Sequence, residues 1–383
     1  MIPINLVGRV CPQRAESDVV QARRAARRDG LALPVTGGIS GSQLAECRPM
    51  RSSNDLTTAA PAFHAIGVDV GGTKIAAGLV TFPEGSLRAR RIIPSNPKRG
   101  GAAVLAEVER IVQEMKAEGR ALKLEPHGLG LGMCELVGLA GKVASANCID
   151  WRGVPLQERL ASLAPAVVEA DVRAAALGEA LFGAGKPYET FLYLTVGTGI
   201  SSCLVIEGRP FKGARGATGT IASSPLNSIC QKCGQVDGRS LEAIASGPGL
   251  VACYNERSSP KAASAEDVIA AARMGKQEAV AAVRLAGEAL GRTVAWLVNA
   301  LDPEAVIVGG GLGLSGGIYW EGLETSTRRQ IWSDLHRQLP IVPAGLGQDA
   351  GWVGAAATAW LRLAGDKDRS SRRRVRSPSG LRR

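Results

Sequence analysis

What this chain lacks narrows its class first. No apolar stretch approaches the roughly 20 residues that cross a bilayer, and the start, MIPINLVGRVCPQ, has no apolar run of a secretory leader. A cytoplasmic protein with no membrane partner is therefore expected. The eight cysteines lack the spacing of a disulfide framework, and a chain of 383 residues needs no such staples. Most should be reduced, buried small apolar groups. No Walker loop, G-x-x-x-x-G-K-[ST], occurs. A charge excess is also missing from the body of the chain. The formal net charge of +11 comes from the ends, with eight Arg against five acids in residues 1–62 and eight Lys plus Arg against two acids in 366–383. The stretch between them carries 30 basic and 28 acidic residues, so a nucleic-acid partner is not expected.

What is present is a chain with 45% hydrophobic and 21% charged residues, enough for a full core and two domains of ordinary size. Residues 1–62 mix Arg, Ser, Gly and Pro without a period and read as disordered, or as an upstream extension of a start at Met50. Residues 366–383 read as a basic disordered tail. From Phe63, FHAIGVDV reads as a buried strand, GGTK as a turn and IAAGLVT as a returning strand. The run AAVLAEVERIVQEMKAEG puts Val104, Val108, Ile111, Val112 and Met115 on one helical face, with Gly119 as its stop. HGLGLGM follows as a strand. A second set begins near residue 190, with TFLYLTV, the turn GTG and the returning ISSCLVI. A helix from about Lys276 to Val298, the strand EAVIVGGG and a helix-like VGAAATAWLRLA complete an α/β pattern.

Three glycine turns follow buried strands. Asp69 ends the first strand, and Gly71 and Gly72 let the backbone turn so that its NH groups, Thr73 and Lys74 approach anionic oxygens. Gly197, Thr198 and Gly199 repeat that logic, and Gly309, Gly310 and Gly311 offer close backbone approach to a flat or anionic ligand. Each turn alone reads equally as an ordinary hairpin tip; their order and spacing favour a ligand. Asp171, after the apolar AVVE and before an alanine-rich helix, reads either as a helix-capping carboxylate or as a base at a domain cleft.

These pieces in this order resemble the ROK family of sugar kinases and related repressors, over about Phe63 to Leu363. GVDVGGTKIAAGLV is similar to the family's first phosphate motif, ANCIDWRGVPL to its sugar loop, and EADVRAAALGEALFGAG to its catalytic-aspartate motif. YLTVGTGI is similar to its second phosphate motif and VIVGGG to its adenosine motif. The resemblance implies a two-domain actin-like, hexokinase-like (ribonuclease H-like) ATPase fold with an interdomain cleft. Residues 63–168 would form the first domain, completed by a helix at about 351–365, and 169–350 the second. It implies transfer of the γ-phosphoryl group of ATP to a sugar hydroxyl. Asp171 would accept the hydroxyl proton, Asp69 would hold Mg²⁺ through water, and the glycine turns would cradle the phosphates. It leaves a homodimer open.

The chain departs from that family's pattern in GATGTIASSPLNSICQKCGQVDGRSLE, residues 216–242. Where relatives carry a zinc-binding histidine and three cysteines, this chain has Ser223, the wider pair Cys230 and Cys233, and Ser240. A closed zinc site takes four N or S ligands, so structural zinc on Cys230 and Cys233 is not expected without ligands from elsewhere. Thr220, Ser223 and Ala170 also replace family sugar contacts. Asp171, Glu242, Asn147 and Ser145 are left to hold a polyol. A hydrogen bond to a charged group contributes roughly 1.5–3 kcal/mol, so the acceptor is expected to be an altered one: a glucokinase-like hexose, an aminosugar or a cyclitol. Ser201, Ser202 and Cys203 stand where relatives continue with glycines, either crowding or binding phosphate. Two other readings stay open. One is a sugar-binding pseudokinase. The other is a transcriptional regulator, although only 17 residues separate Ala45, in a segment similar to the start of a helix-turn-helix, from Phe63.

Overall fold

The nearly unbroken apolar run at Phe63–Val70 forms strand β1, which turns back as β2 (Lys74–Phe82) and β3 (Ser86–Pro94). The computed structural model describes residues 62–226, 228–229 and 236–375, with side chains described outside 227–237 and up to residue 364; Cys230 and Cys233 lie outside the described residues, as do residues 1–61 and 376–383. Helix α1 (Gly101–Ala121), β4 (Gly128–Met133), α2 (Leu156–Ala161), β5 (Ala166–Ala170) and α3 (Asp171–Phe182) come next. The first sheet has the order β3-β2-β1-β4-β5. Its hairpins are antiparallel, and β4 and β5 run parallel to β1.

The second half opens with β6 (Phe191–Val196), β7 (Ile200–Ile206) and β8 (Arg209–Pro210), and the short pair β9 (Ser228–Ile229) and β10 (Val236–Asp237). Helices α4 (Glu242–Ala245), α5 (Gly247–Asn255), α6 (Ala265–Arg273) and α7 (Gln277–Leu301) lead to β11 (Ala305–Gly309). Then come α8 (Gly317–Gln330), α9 (Asp334–Arg337), β12 (Ile341–Pro343) and α10 (Ala350–Val375), which runs past residue 365 into the basic stretch. The sheet order is β12-β11-β6-β7-β8.

The period of two along each strand divides its side chains between two cores. From β1, Ile66, Val68 and Val70 pack under α1 against Val104, Val108, Ile111 and Met115. Phe63 and Ala65 face the other way, onto Trp352, Val353 and Ala356 of α10. In the second sheet, Leu192, Leu194 and Val196 pack toward α7 and α8, while Phe191 and Tyr193 meet Val172, Ala175 and Ala176 of α3. The helix after each sheet's last strand thus packs on the other sheet. That exchange requires close approach: a Cβ on Gly130 would fall 1.8 Å from the Ala355 carbonyl oxygen, and one on Gly354 would fall 1.7 Å from that of Ala174.

Two boundaries differ from the sequence reading, and the first is that α10 runs to Val375, into the stretch read as a disordered tail. Gly119 does not stop α1; the helix continues to Ala121, and the left-handed residue that ends it is Lys123, at φ 58°. Gly119 instead admits the Leu124 carbonyl, 2.6 Å from where its Cβ would stand. No helix of the described residues is long and apolar enough to cross a membrane.

Candidate functional site at the cleft

The ends of β1, β4, β5, β6 and β11 converge, and so do the N-termini of three helices. Asp69, next to last in β1, lies against the start of α10: a Cβ on Gly351 would sit 2.2 Å from Asp69 Oδ2. Asp171 is the first residue of α3, with Ala170 as the N-cap, and its Oδ1 accepts a hydrogen bond from Val172 N at 2.6 Å. Asp171 is thus not the N-cap of α3 but its first helical residue, binding one backbone NH of the first turn, with the charge of Asp69 acting on it. Burial pushes Asp171 up to about 7, assisted by the charges of Asp69 and Cys148 and opposed by the Val172 NH and Arg173. Burial also raises Asp69 to about 6, against the pull of Lys74. Helix α5 directs its first turn at the second glycine turn, where Gly247 N donates to the Gly197 carbonyl at 2.8 Å.

The turn after β1 is closed by Gly71 N donating to the Lys74 carbonyl at 2.9 Å, with Gly72 and Thr73 at its tip. Lys74 Nζ donates to Gln348 Oε1 at 3.1 Å, which holds the ammonium toward the turn before α10. Across the cleft, Gly197 N donates to the Gly199 carbonyl at 2.9 Å, leaving Thr198 exposed. Glu242 sits against this turn, its Oε2 accepting from Ile200 N at 2.9 Å. The third glycine run divides by role. Gly309 is buried under the Tyr193 hydroxyl, which would lie 2.6 Å from its Cβ. Gly310 adopts φ 83°, where a side chain would strike the Val196 backbone, and Gly311 has open space around it.

Residues 145–149 form the remaining wall, and one buried carboxylate builds it. Glu135 Oε2 accepts from Ser145 Oγ (2.5 Å) and Asn147 N (2.9 Å), while Oε1 accepts from Cys148 N (2.6 Å) and Ile149 N (2.9 Å). Ser145 also accepts from Leu136 N at 2.8 Å. Its proton is already given to Glu135, so this hydroxyl braces the loop. The Asn147 side chain is exposed and takes no intramolecular hydrogen bond among the described residues. Glu135 was not singled out from sequence; its signal was a lone acid following a buried strand.

Behind the loop, Glu169 binds Arg173, Lys212 and Arg362, while Arg173 donates to the carbonyls of Val137 (2.6 Å) and Gly216 (2.7 Å). Two of the three residues that replace the expected glycines, Ser202 and Cys203, turn away from the turn, and Ser201 is half-buried. Ser202 Oγ donates to the Gly219 carbonyl at 3.0 Å and Cys203 is buried against the second sheet's core, so neither lines the turn. Among the described residues no group of three or more His, Cys, Asp or Glu side chains gathers into a metal cage.

Comparison with known proteins adds an independent line. A profile described as the ROK family matches residues 65–361. A glucokinase of Streptomyces coelicolor is 33% identical over 315 residues, spanning 76% of this chain and 96% of that protein. A ROK family glucokinase structure from Streptomyces griseus, in complex with glucose and AMPPNP, superposes with TM-score 0.67 at 29% identity, covering 78% of this chain and 99% of that one. A ROK hexokinase structure from Thermus thermophilus has TM-score 0.64 at 32% identity, covering 79% and 100%. A xylose repressor of Bacillus subtilis is also similar, at 23% identity over 77% of this chain and 76% of the repressor. The architecture is the two-domain actin-like ATPase fold.

Proposed function

Because this chain belongs to the ROK family, we propose that it is an ATP-dependent kinase that transfers the γ-phosphoryl group to a carbohydrate hydroxyl. The observation that carries this reading is Asp171: a carboxylate raised to about 7 by burial and by Asp69, set at a helix N-terminus opposite bare glycine turns. Phosphoryl transfer asks a protein for positioning and charge stabilisation more than for covalent chemistry, and a base titrating near neutrality suits abstraction of a hydroxyl proton.

In this reading, the Gly71–Gly72 and Gly197–Gly199 turns bind phosphate oxygens through backbone NH groups, helped by the N-terminus of α5. Lys74 and Thr73 add donors on the first side. Gly310 and Gly311 leave bare backbone for the adenosine. Asn147 and Glu242 orient the polyol, with Ser145 holding the loop that presents Asn147. Asp171 accepts the acceptor hydroxyl's proton as the oxygen attacks phosphorus, and the β-phosphate oxygen departs with ADP. Two buried carboxylates, with Asp69 raising the proton affinity of Asp171, form a donor set suited to a hydrated divalent cation. Asp69 would hold Mg²⁺ through water, and the ion when bound would neutralise charge on the phosphates.

The replacements at Thr220 and Ser223 support an acceptor other than plain glucose, among the hexoses, aminosugars and cyclitols. The test is ADP release with Mg·ATP across such a panel. Turnover with one acceptor, abolished in Asp171→Asn, is the expected result. The same replacements favour a second reading, a pseudokinase that binds ligand without turnover; silence across the panel with ATP still bound would establish it. Specific DNA retention by residues 1–62 would move the protein to the regulators among its relatives.

A further inference from the structure

Two cysteines at the acceptor wall are not used by the chemistry above. Cys134 directly follows β4, where its backbone NH donates to the Val70 carbonyl at 3.1 Å. Cys148 lies in the braced 145–149 loop, its NH held by Glu135. Each thiol is the largest influence on the other's titration, and both cysteines sit at the end of β1, Cys134 on Val70 and Cys148 on Gly72. Cys148 is exposed, whereas Cys203 and Cys253 are buried. The Cys148 sulfur also presses on the first glycine turn, 2.7 Å from where a Cβ on Gly72 would stand.

We propose that Cys134 and Cys148 form an oxidisable dithiol, a modification site at the cleft whose disulfide ties the 145–149 loop to the end of β4 and shuts down the acceptor side of the site. The effect on turnover rests on the kinase reading; the bond itself does not.

The division of labour within the pair comes from its surroundings. The thiol of Cys134 lowers Cys148 to about 7, despite burial and the charges of Glu135 and Glu242, while Cys134 is pushed up. Cys148 thus carries thiolate at neutral pH, and the thiolate is the reactive form. A peroxide is the oxidant. The Cys148 thiolate attacks one peroxide oxygen, the O–O bond breaks, and the departing hydroxide takes a proton to give water and a sulfenic acid. Cys134 sulfur then attacks Cys148 sulfur. The S–S bond forms, the S–O bond breaks, and the Cys134 proton leaves with the hydroxide as a second water. Two thiols lose two electrons and hydrogen peroxide gains them. Both cysteines lie beside residues 70–72, where β1 ends, so reaching the S–S length of about 2.05 Å asks for a local movement of the 145–149 loop and the two side chains.

The experiment is peptide mapping of the reduced full-length protein after stoichiometric hydrogen peroxide, thiol blocking and trypsin. Cleavage after Lys123, Lys142 and Arg152 places the cysteines in peptides 124–142 and 143–152. A linked pair of these peptides, lost on dithiothreitol treatment, is expected. In Cys134→Ser, Cys148 should instead be trapped as a dimedone adduct. Both cysteines singly alkylated, or Cys148 linked to any other cysteine, overturns the proposal. ADP release should fall at least tenfold on oxidation and return with dithiothreitol; a linked pair with unchanged turnover overturns its regulatory half. Should neither redox form turn over, the linked peptides still uphold the dithiol and the failure belongs to the kinase reading.

Discussion

Counted from the hairpin edge, the two sheets run β3-β2-β1-β4-β5 and β8-β7-β6-β11-β12, so β4 and β11 hold equivalent places beside β1 and β6. The residues just beyond these two strands differ. After β11 come Gly310 and Gly311, which offer backbone and open space. After β4 come Cys134 and Glu135, and Glu135 spends both oxygens holding the 145–149 loop. The first turn likewise stands beside Asp69 and Lys74, whereas the second is backed by the single carboxylate of Glu242. One topology used twice therefore yields a bare wall and a charged wall. A bare wall suits a nucleotide that brings its own charge and ring. A charged wall suits an acceptor whose hydroxyl must be aimed and deprotonated.

Asp171 lies on the charged wall, and its removal should break the comparison most severely. Asp171→Asn is expected to lower kcat by about 10²–10⁴-fold, the range of a lost general base, while ATP binding measured by calorimetry stays within about twofold. Because the ionised form is the base, kcat/KM should fall about tenfold per pH unit below about 7, the value set by burial and Asp69. A flat profile from pH 5 to 8 would remove Asp171 from the proton transfer.

The bare wall is attacked by Gly310→Ala. A left-handed backbone costs a non-glycine residue about 1–2 kcal/mol, and the added Cβ meets the Val196 backbone at 2.3 Å. The KM for ATP should rise about a hundredfold, with the acceptor KM nearly unchanged. A rise in both would show that the walls are not separate.

The complementary change is Glu135→Gln. The amide has one acceptor oxygen for four donors and turns an NH₂ toward two of them. The charge-assisted bonds lost contribute about 1.5–3 kcal/mol, so the acceptor KM should rise about tenfold with the ATP KM unchanged. Glu135→Asp should restore part of the loss. A fall in thermal stability with no KM change would make Glu135 a fold residue only.

How far these walls were legible in the sequence depends on the range of the interaction. The hairpins of β1–β2 and β6–β7 are written locally, as apolar runs broken by glycine, and so is the buried face of α1. Asp171 is legible because a carboxylate opening an alanine-rich helix after a strand is a local pattern. Glu135 is not, because its partners are backbone NH groups 12–14 residues away, brought back only by the loop's return. The mutual influence of Cys134 and Cys148 is hidden for the same reason. Glycine misled twice: Gly119 lies inside a helix where a carbonyl needs room, and Gly309 lies beneath Tyr193 instead of at the open edge. In both, the glycine answers a neighbour that sequence spacing does not reveal.

The smallest expected effect concerns stability and separates the walls without any substrate. Asp69 and Asp171 hold protons more tightly folded than unfolded, with values of about 6 and about 7 against an ordinary 3.8. Between pH 3.8 and 7 the native state therefore binds protons that the unfolded chain has released, and stability falls as pH rises through that window. Above about 7 the full cost of two neighbouring buried charges is present. Asp171→Asn removes one of them, so its Tm should exceed the wild-type value by about 3 °C or more at pH 8. At pH 5 the difference should shrink to about a third of that, because native Asp171 is then protonated and only the ionisation of the unfolded chain above its ordinary 3.8 still disfavours the wild-type fold. Gly310→Ala, on the bare wall, should shift Tm by the same amount at both pH values. An equal shift for Asp171→Asn at pH 5 and pH 8 would mean that its carboxylate is solvated, and the charged wall would lose its main electrostatic distinction from the bare one.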